Sequence, residues 1–249
     1  MRRPLWPSDG PKEGTMERAP WYHGRRLLTL DAETTSLDTE TASVIELAAV
    51  QFTGGRIRER RSQLINPGFD VSAETTEITG ITNEMLRGMP TVDQVAAVFI
   101  RFCHRSGEYL AAHNGYGYDD PVLTRELGDE WRRFRRVRAM VDTWTLVRMD
   151  DVGRYWSGKA RHKLEAVCTK LELDTAGLGA HRATPDAIRV GRVLHGLTVH
   201  RKYGPVLRGL GDTPAKVELA LKLEKDKQDE NFAAWKAKQP PLEEDGGTA

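Results

Sequence analysis

The stretch "LLTLDAETTSLD" (residues 27–38) joins an apolar run to two acids, Asp31 and Glu33, with one alanine between them. The apolar run predicts a buried strand. Side chains two residues apart on a strand point to the same face about 6–7 Å apart, so Asp31 and Glu33 project together while Ala32 faces away. Buried carboxylates repel each other unless a cation compensates, and proteins hold Mg²⁺ with such carboxylates. The stretch therefore predicts a metal site, and acids that only reach water or cap the next turn are the alternative.

The sequence around this stretch predicts the beginning of a sheet. Residues 26–30, 44–52 and 56–65 have the composition and alternation of three strands. Gly54 and Gly55 form the tight turn between the second and third strands. These three segments therefore predict an antiparallel meander.

The following segments predict an alternation of helices and strands. Apolar residues at helical spacing over 91–103 predict a helix, with Thr91 as its N-cap. Residues 108–114 and 138–144 resemble short strands that each lead into helical sequence, which is how parallel strands are connected. The sum is an α/β domain over residues 24–205, built on a mixed five-stranded sheet flanked by helices.

The composition is that of a soluble globular protein. Of the 249 residues, 39% are hydrophobic and 29% are charged, which suits one large domain or two small ones. No apolar run approaches the ~18–20 residues of a membrane span, and the N-terminal residues lack the apolar centre of a signal peptide, so we expect a cytoplasmic protein without a membrane partner. Cys103 and Cys168 lie in apolar helical patterns, which argues against a disulfide framework or a cysteine metal cluster.

Two later segments place further acids at the ends of predicted elements. The segment "AAHNGYGYDDPVL" ends a strand and carries Asp119 and Asp120 at the start of a helix. The segment "GAHRATPDA" places His181 just outside a helix and Asp186 in its first turn. Taken singly, each acid is better explained by the helix dipole, and the histidine by a surface loop. Together they fall where the carboxyl edge of such a sheet carries its sites.

These segments resemble the three motifs of the proofreading-type DEDD exonucleases, in the DEDDh branch whose general base is a histidine. The first family motif is D-x-E-T-T-G-L, and the chain has "DAETTSL" with Ser36 in place of the glycine. If that position requires a positive φ, serine costs about 1 kcal/mol. The second motif, in the form found in the three-prime repair exonucleases, is H-N-G-x-x-Y-D-x-P-x-L, and "HNGYGYDDPVL" matches every fixed position, which selects Asp119 over Asp120. The third motif, H-R-A-x-x-D-A, is unchanged as "HRATPDA", and the resemblance covers about residues 26–197.

The resemblance implies a ribonuclease H-like fold and a DnaQ-like 3′-to-5′ exonuclease that uses two Mg²⁺ (or Mn²⁺) ions per active site. Asp31 would bridge both ions. Glu33 and Asp186 would complete the shell of the first ion, and Asp119 would hold the second. His181 would be the general base, because histidine as a residue type is suited to accept a proton at neutral pH. The product would be a 5′-mononucleotide.

The resemblance also implies substrate-binding residues. Thr34 and Thr35 would lie near the 3′-hydroxyl of the terminal nucleotide, and Leu37 would lie against its base. His113 and Asn114 would orient the second-motif aspartate and the backbone beside it. A strand-end pair whose hydrogen bonds are satisfied within the protein is the alternative for these last two residues.

Five arginines lie within residues 131–138, with Trp131 and Phe134 between them. Such a cluster binds phosphates without sequence preference, because neutralising them releases counterions. A solvated helix face and a loop are the alternatives. The stretch favours nucleic acid slightly, because acids are sparse across residues 131–141.

The flanks of the predicted domain differ from it. Residues 1–23 are predicted to form a disordered N-terminal arm, and residues 239–249 a disordered tail. Residues 206–238 are predicted to form a polar helical extension, in which Phe232 and Trp235 recur at helical spacing. Its far half is either a solvated extension or an anchor for a polymerase or a second copy of the chain.

The sequence is compatible with three functions from different classes. The favoured one is an exonuclease that acts on DNA 3′ ends, single-stranded DNA above all, in proofreading, repair or degradation. An RNase of the same fold is the second, because a 2′-hydroxyl is distinguished by local pocket shape. The third is a non-catalytic nucleic-acid-binding module, whose signature would be the loss of a metal-binding acid, and none is lost.

Overall fold

The computed structural model describes residues 25–158, 160–179 and 181–238. The described residues form a five-stranded sheet and ten helices. The strands are β1 (Arg26–Thr34), β2 (Val44–Thr53), β3 (Arg56–Leu64), β4 (Tyr109–Ala112) and β5 (Met140–Asp142). The helices are α1 (Ala73–Thr79), α2 (Asn83–Leu86), α3 (Val92–Ser106), α4 (Asp119–Glu126), α5 (Gly128–Arg136), α6 (Thr143–Arg148), α7 (Leu164–Lys170), α8 (Ala183–Val199), α9 (Tyr203–Leu210) and α10 (Pro214–Lys236).

The sheet has the strand order β3-β2-β1-β4-β5. Strands β1, β2 and β3 pair antiparallel, as the predicted meander requires, and β4 and β5 continue the sheet parallel to β1. Gly54 and Gly55 both have positive φ angles, 57° and 76°, which suit the tight turn between β2 and β3. The mixed five-stranded α/β sheet predicted from the sequence is confirmed.

The alternating side chains of β1 supply two hydrophobic layers. Leu28 and Leu30 pack on one face with α3 and α5, where Phe99 and Trp131 are buried. Leu27 packs on the other face with apolar residues of α7 and α8. Each fully buried side chain of this kind contributes about 1.5–3 kcal/mol. Because β1 alternates, the face that carries Leu27 also carries Asp31 and Glu33, toward α8.

The strand boundaries differ from those expected from the sequence. Strand β1 continues to Thr34, so the two acids lie within the paired strand instead of after it. Strands β4 and β5 are shorter than the predicted 108–114 and 138–144. Strand β4 cannot extend through Asn114, whose φ of 71° is left-handed. Strand β5 ends because Asp142 becomes the N-cap of α6 and accepts a hydrogen bond from the Trp144 N–H.

The arginine-rich stretch is helical up to Arg136, where α5 ends. The prediction of a loop is therefore wrong for residues 131–136. The aromatic residues of the stretch, Trp131 and Phe134, are buried in the core. Arg135 makes ion pairs with Asp120 of α4 at 3.0 Å and with Glu218 of α10 at 2.8 Å. At least this arginine therefore ties three helices together.

Helix α10 packs on the domain at its N-terminal half, where Val217 and Leu221 are buried. Farther along, Gln228 is buried and its Nε2 donates to the carbonyl oxygen of Thr145. Phe232 and Trp235 are more than half exposed. The predicted N-terminal arm lies outside the described residues, and so does the predicted C-terminal tail. Across the described part of the chain, none of the helices combines the length and apolar character that a membrane span needs.

Candidate active site

Three carboxylates meet where β1 faces the start of α8. Carboxylate oxygens of Asp31, Glu33 and Asp186 all lie within 4.8 Å of one another. The two β1 acids share a face because the strand alternates, and Asp186 lies in the first turn of α8, which packs across that face. The structure thus brings together acids that are separated by about 150 residues of sequence.

Asp119 is the fourth acid of this site. It begins α4, directly after the turn that follows β4, and it is buried. Its charge is close enough to raise the pKa of Asp31. Strand β4 lies beside β1 and runs parallel to it, so both strands deliver their acids to the same edge of the sheet.

The carboxylates are costly to ionise together. Burial, followed by the charges of the neighbouring acids, raises the pKa of Asp31 well above its usual range. Burial and the nearby Asp186 are the leading causes that raise the pKa of Glu33 to about 7. Burial raises the pKa of Asp119 to about 7 as well. A set of oxygen ligands whose charges repel at neutral pH fits a hard divalent cation, which removes the repulsion.

Asp186 has a cationic neighbour in its own helix. Burial raises the pKa of Asp186, and the ion pair with Arg189 opposes that shift. Arg189 is also buried, and its second nitrogen donates to the carbonyl oxygen of Leu178 at 2.9 Å. This arginine therefore joins the loop before α8 to the acid that faces β1.

His181 lies one residue before the N-cap of α8 and is exposed, with a left-handed φ of 53°. The next residue, Arg182, donates two hydrogen bonds to Glu46 of β2, at 2.8 and 2.9 Å. The Ala183 N–H donates to the same carboxylate at 3.1 Å. Glu46 therefore holds both Arg182 and the first residue of α8, which fixes the short connection between the histidine and the helix.

Glu46 is a buried acid beside this site that the sequence prediction missed. It is 2% exposed and lies opposite Glu33 on the neighbouring strand. Burial alone would raise its pKa, but hydrogen bonds from Arg182, the Ala183 N–H and Ser62 lower the pKa below its usual value. The sequence signal was present: Glu46 is an acid inside the otherwise apolar strand "VIELAAV".

The loop of the first motif is held by its own hydroxyl groups. Thr34 donates to the carbonyl oxygen of Ser36 at 2.9 Å, and the hydroxyl of Tyr118 contacts both residues. Thr35 accepts a hydrogen bond from the Ser43 N–H at 2.9 Å. Ser36 is not among the described residues with positive φ, so the substitution of glycine by serine carries no backbone strain here. Tyr118 is the fixed tyrosine of the second motif and stands just before its aspartate, but the sequence analysis assigned it no role.

Leu37, at the end of that loop, is 90% exposed. Exposing an apolar side chain to water is unfavourable, and a ligand that covers the side chain removes this cost. The structure therefore leaves Leu37 accessible to a ligand, as its predicted contact with a base requires.

His113 and Asn114 have partners within the protein. Nε2 of His113 donates to the carbonyl oxygen of His162 at 2.9 Å, and Nδ1 lies 2.9 Å from the hydroxyl of Thr143. Burial lowers the pKa of His113 to about 4, so its ring is neutral at pH 7. The N–H of Asn114 donates to Asp142 at 2.8 Å. Both residues thus shape the turn between β4 and α4.

Comparison with known proteins agrees with this geometry. The family model RNase_T, whose description is exonuclease, matches residues 28–194. The chain is 29% identical over 160 residues to the DNA polymerase III subunit epsilon of Aquifex aeolicus, which covers 64% of this chain and 74% of that protein. It is 31% identical over 166 residues to a PolC-type DNA polymerase III of Thermotoga maritima, which covers 64% of this chain but only 11% of that protein.

Solved structures show the same fold. Exonuclease I of E. coli in complex with a dT13 oligonucleotide superposes with a TM-score of 0.61 at 17% identity, covering 75% of this chain and 43% of that one. The matched family segment begins in β1 and ends in α8, so it includes all four clustered acids. The chain belongs to the RNase_T family of exonucleases.

Proposed function

We propose that this chain is a metal-dependent 3′-to-5′ exonuclease that hydrolyses phosphodiester bonds at DNA 3′ ends and releases 5′-mononucleotides. The observation that carries the proposal is the cluster of Asp31, Glu33 and Asp186, whose oxygens lie within 4.8 Å of one another, with Asp119 beside it. A buried group of acids stabilises nothing by itself, because each charge raises the cost of the others. Its chemical use is to hold cations.

Asp31, Glu33, Asp119 and Asp186 are the proposed ligands of two Mg²⁺ or Mn²⁺ ions. When bound, such ions stabilise the charge that develops on the attacking and leaving oxygens of a phosphodiester. His181 accepts the proton of the attacking water at its imidazole, for which its exposed position at the start of α8 leaves room. Arg182 and Glu46 hold the backbone on which that imidazole is carried.

The terminal nucleotide is proposed to lie along the first-motif loop. Leu37 is exposed and packs against the base, and the hydroxyls of Thr34 and Thr35 lie next to the sugar. His113 and Asn114 act through the turn that carries Asp119. The domain that performs this reaction is proposed to span residues 24–205, with 206–238 as an extension.

A nuclease assay tests the proposal directly. Single-stranded DNA, duplex DNA with a mismatched 3′ end, and RNA, each labelled at the 5′ end, are incubated with Mg²⁺ and with EDTA. Stepwise shortening from the 3′ end is expected with Mg²⁺ alone, and fastest on single-stranded DNA. Shortening from the 3′ end that persists in excess EDTA would overturn metal dependence. Faster loss of RNA than of DNA would show an RNase of the same fold.

The variant Asp31→Ala tests the proposed metal site in the same assay. Its turnover is expected to fall by about 10³-fold, because metal stabilisation of the transition state is worth several kcal/mol. Asp70→Ala removes an exposed acid from a loop outside the cluster and should leave turnover unchanged. Near-normal turnover of Asp31→Ala at saturating Mg²⁺ would show that the site is assigned wrongly.

A further inference from the structure

A second concave surface lies between α6, the connection from α6 to α7, and the far half of α10. It has a volume of about 530 Å³. Its walls include three aromatic residues and several cations, among them Trp144, Phe232, Trp235, Arg148, Arg161 and Lys163. We call this surface the basic aromatic groove.

Two rings on the aromatic side of the groove are exposed to solvent. Phe232 and Trp235 are 57% and 56% exposed. Their ring centroids are 5.7 Å apart and their planes differ by 25°, so the two rings are stacked. Exposed rings of this kind bind nucleic-acid bases, which stack on them without regard to base identity.

The charged side of the groove carries only positive charges among the described residues. Arg148, Arg161 and Lys163 line it together with Arg154, and no acid lines it among the described residues. Arg154 is paired with Asp150. Among the described residues, no ion pair involves Arg161 or Lys163. A concave surface with unneutralised cations attracts a polyanion.

The groove lies at the same edge of the sheet as the acid cluster. Helix α6 begins directly after β5, and β5, β4 and β1 are parallel neighbours, so their carboxyl ends share one edge. Two strand spacings separate β5 from β1, which is about 10 Å. His113 joins the two regions, because it follows β4 and its ring lies 5.4 Å from that of Trp144.

Helix α10 gives this chain a surface beyond the shared family domain. The family model ends at residue 194, whereas α10 spans Pro214–Lys236. Gln228 holds the far half of the helix against α6 through its bond to Thr145. The groove therefore depends on a segment that the family motifs do not include.

We propose that the basic aromatic groove binds the single-stranded DNA that leads to the 3′ end, a few nucleotides before the scissile bond. Bases stack on Phe232 and Trp235, and phosphates contact Arg148, Arg161 and Lys163. The proposal rests on the proposed exonuclease function, because that function supplies the strand. The groove would strengthen binding of longer substrates without taking part in hydrolysis.

A binding experiment without catalysis tests the groove independently. The full chain in EDTA is titrated against a fluorescent 20-nucleotide oligothymidylate whose 3′ end is blocked. The double variant F232A/W235A is expected to raise Kd at least tenfold, since base stacking is lost. Arg161→Ala with Lys163→Ala should reduce the slope of log Kd against log salt by about 1.4, or about 0.7 per phosphate contact. The control is L219A/L223A, which removes exposed leucines from the same helix.

Hydrolysis of two substrate lengths separates the groove from the active site. The F232A/W235A variant is expected to cleave a thymidine trinucleotide at the wild-type rate and to show a raised KM, at unchanged kcat, on the 20-nucleotide strand. Equal Kd values for the variant and the wild type would overturn the groove proposal and leave the two rings as contacts for a protein. Groove-dependent binding by a protein that hydrolyses nothing would uphold the groove and refute the exonuclease function.

Discussion

Glu33 carries a charge that weakens the folded protein whenever no cation lies beside it. Burial and the neighbouring acids raise its pKa from 4.5 to about 7. Between these two pH values the folded state binds more protons than the unfolded state, so the free energy of unfolding falls as the pH rises. Above about pH 7 both states are ionised and the whole penalty is present.

Replacing Glu33 by glutamine should remove that penalty. In EDTA, Glu33→Gln is expected to raise Tm at pH 8 and to change it little at pH 5, where the wild-type carboxyl is already protonated. Circular dichroism melts at the two pH values measure this difference. Glu77→Gln, an exposed glutamate of α1, should give equal and small changes at both. A Tm increase of the same size at pH 5 and pH 8 would show that Glu33 is not strained by its neighbours' charge.

His181 is exposed, so its replacement should affect the reaction more than folding. His181→Ala is expected to lower kcat by about 10² to 10⁴, the usual contribution of a general base, with little change in KM. The acidic limb of the pH profile of kcat should disappear. His181→Asn should behave alike, because asparagine accepts the left-handed backbone and only the base is lost. A pH profile unchanged by either variant would place the base elsewhere.

At the scale of elements, the start of α8 depends on a residue of β2. Glu46 accepts hydrogen bonds from Arg182 and from the Ala183 N–H, so one buried carboxylate both caps the helix and fixes the preceding residue. His181 precedes this pair and Asp186 follows it by one turn. The orientation of both side chains should therefore respond to a change in β2.

Glu46→Gln tests this positioning role. The amide cannot accept two charge-assisted hydrogen bonds from Arg182, so we expect kcat to fall about 10- to 100-fold while KM changes little. Tm should fall as well, since Arg182 loses its partner. Glu59→Gln removes one member of an exposed ion pair with Arg105 and should change neither quantity. If Glu46→Gln lowers Tm but leaves kcat intact, Glu46 is structural only.

At the scale of the whole molecule, we expect catalysis to be independent of the far half of α10. Every proposed catalytic residue precedes residue 187. Between residue 227 and the end of α10 at Lys236, Gln228 is the only buried residue. Deleting 227–249 is therefore expected to leave cleavage of a thymidine trinucleotide intact and to weaken binding of longer strands. Circular dichroism confirms folding of the truncated protein. Loss of trinucleotide cleavage by a well-folded truncated protein would show that this segment belongs to the active site.

The sequence by itself determined the type of sheet and the identity of the acids. Alternation places Asp31 and Glu33 on one face whatever the strand packs against, because the side-chain period of a strand is fixed by its backbone. The three motifs added Asp119, His181 and Asp186 in order. These signals are local, so they can be recognised in the sequence without knowledge of the fold.

The tertiary structure alone decided which distant groups support those residues. In the sequence, Glu46 is only an acid in an apolar strand. Its partner Arg182 is supplied by the start of α8, which packs on that strand. In the sequence, Phe232 and Trp235 are isolated aromatic residues on a polar helix. The structure places α10 beside α6 and beside the cations that follow α6, so the two rings line a groove. Contacts between elements far apart in sequence depend on how helices pack on the sheet. No local pattern of side chains encodes that packing, because it depends on the shape and volume of the whole core.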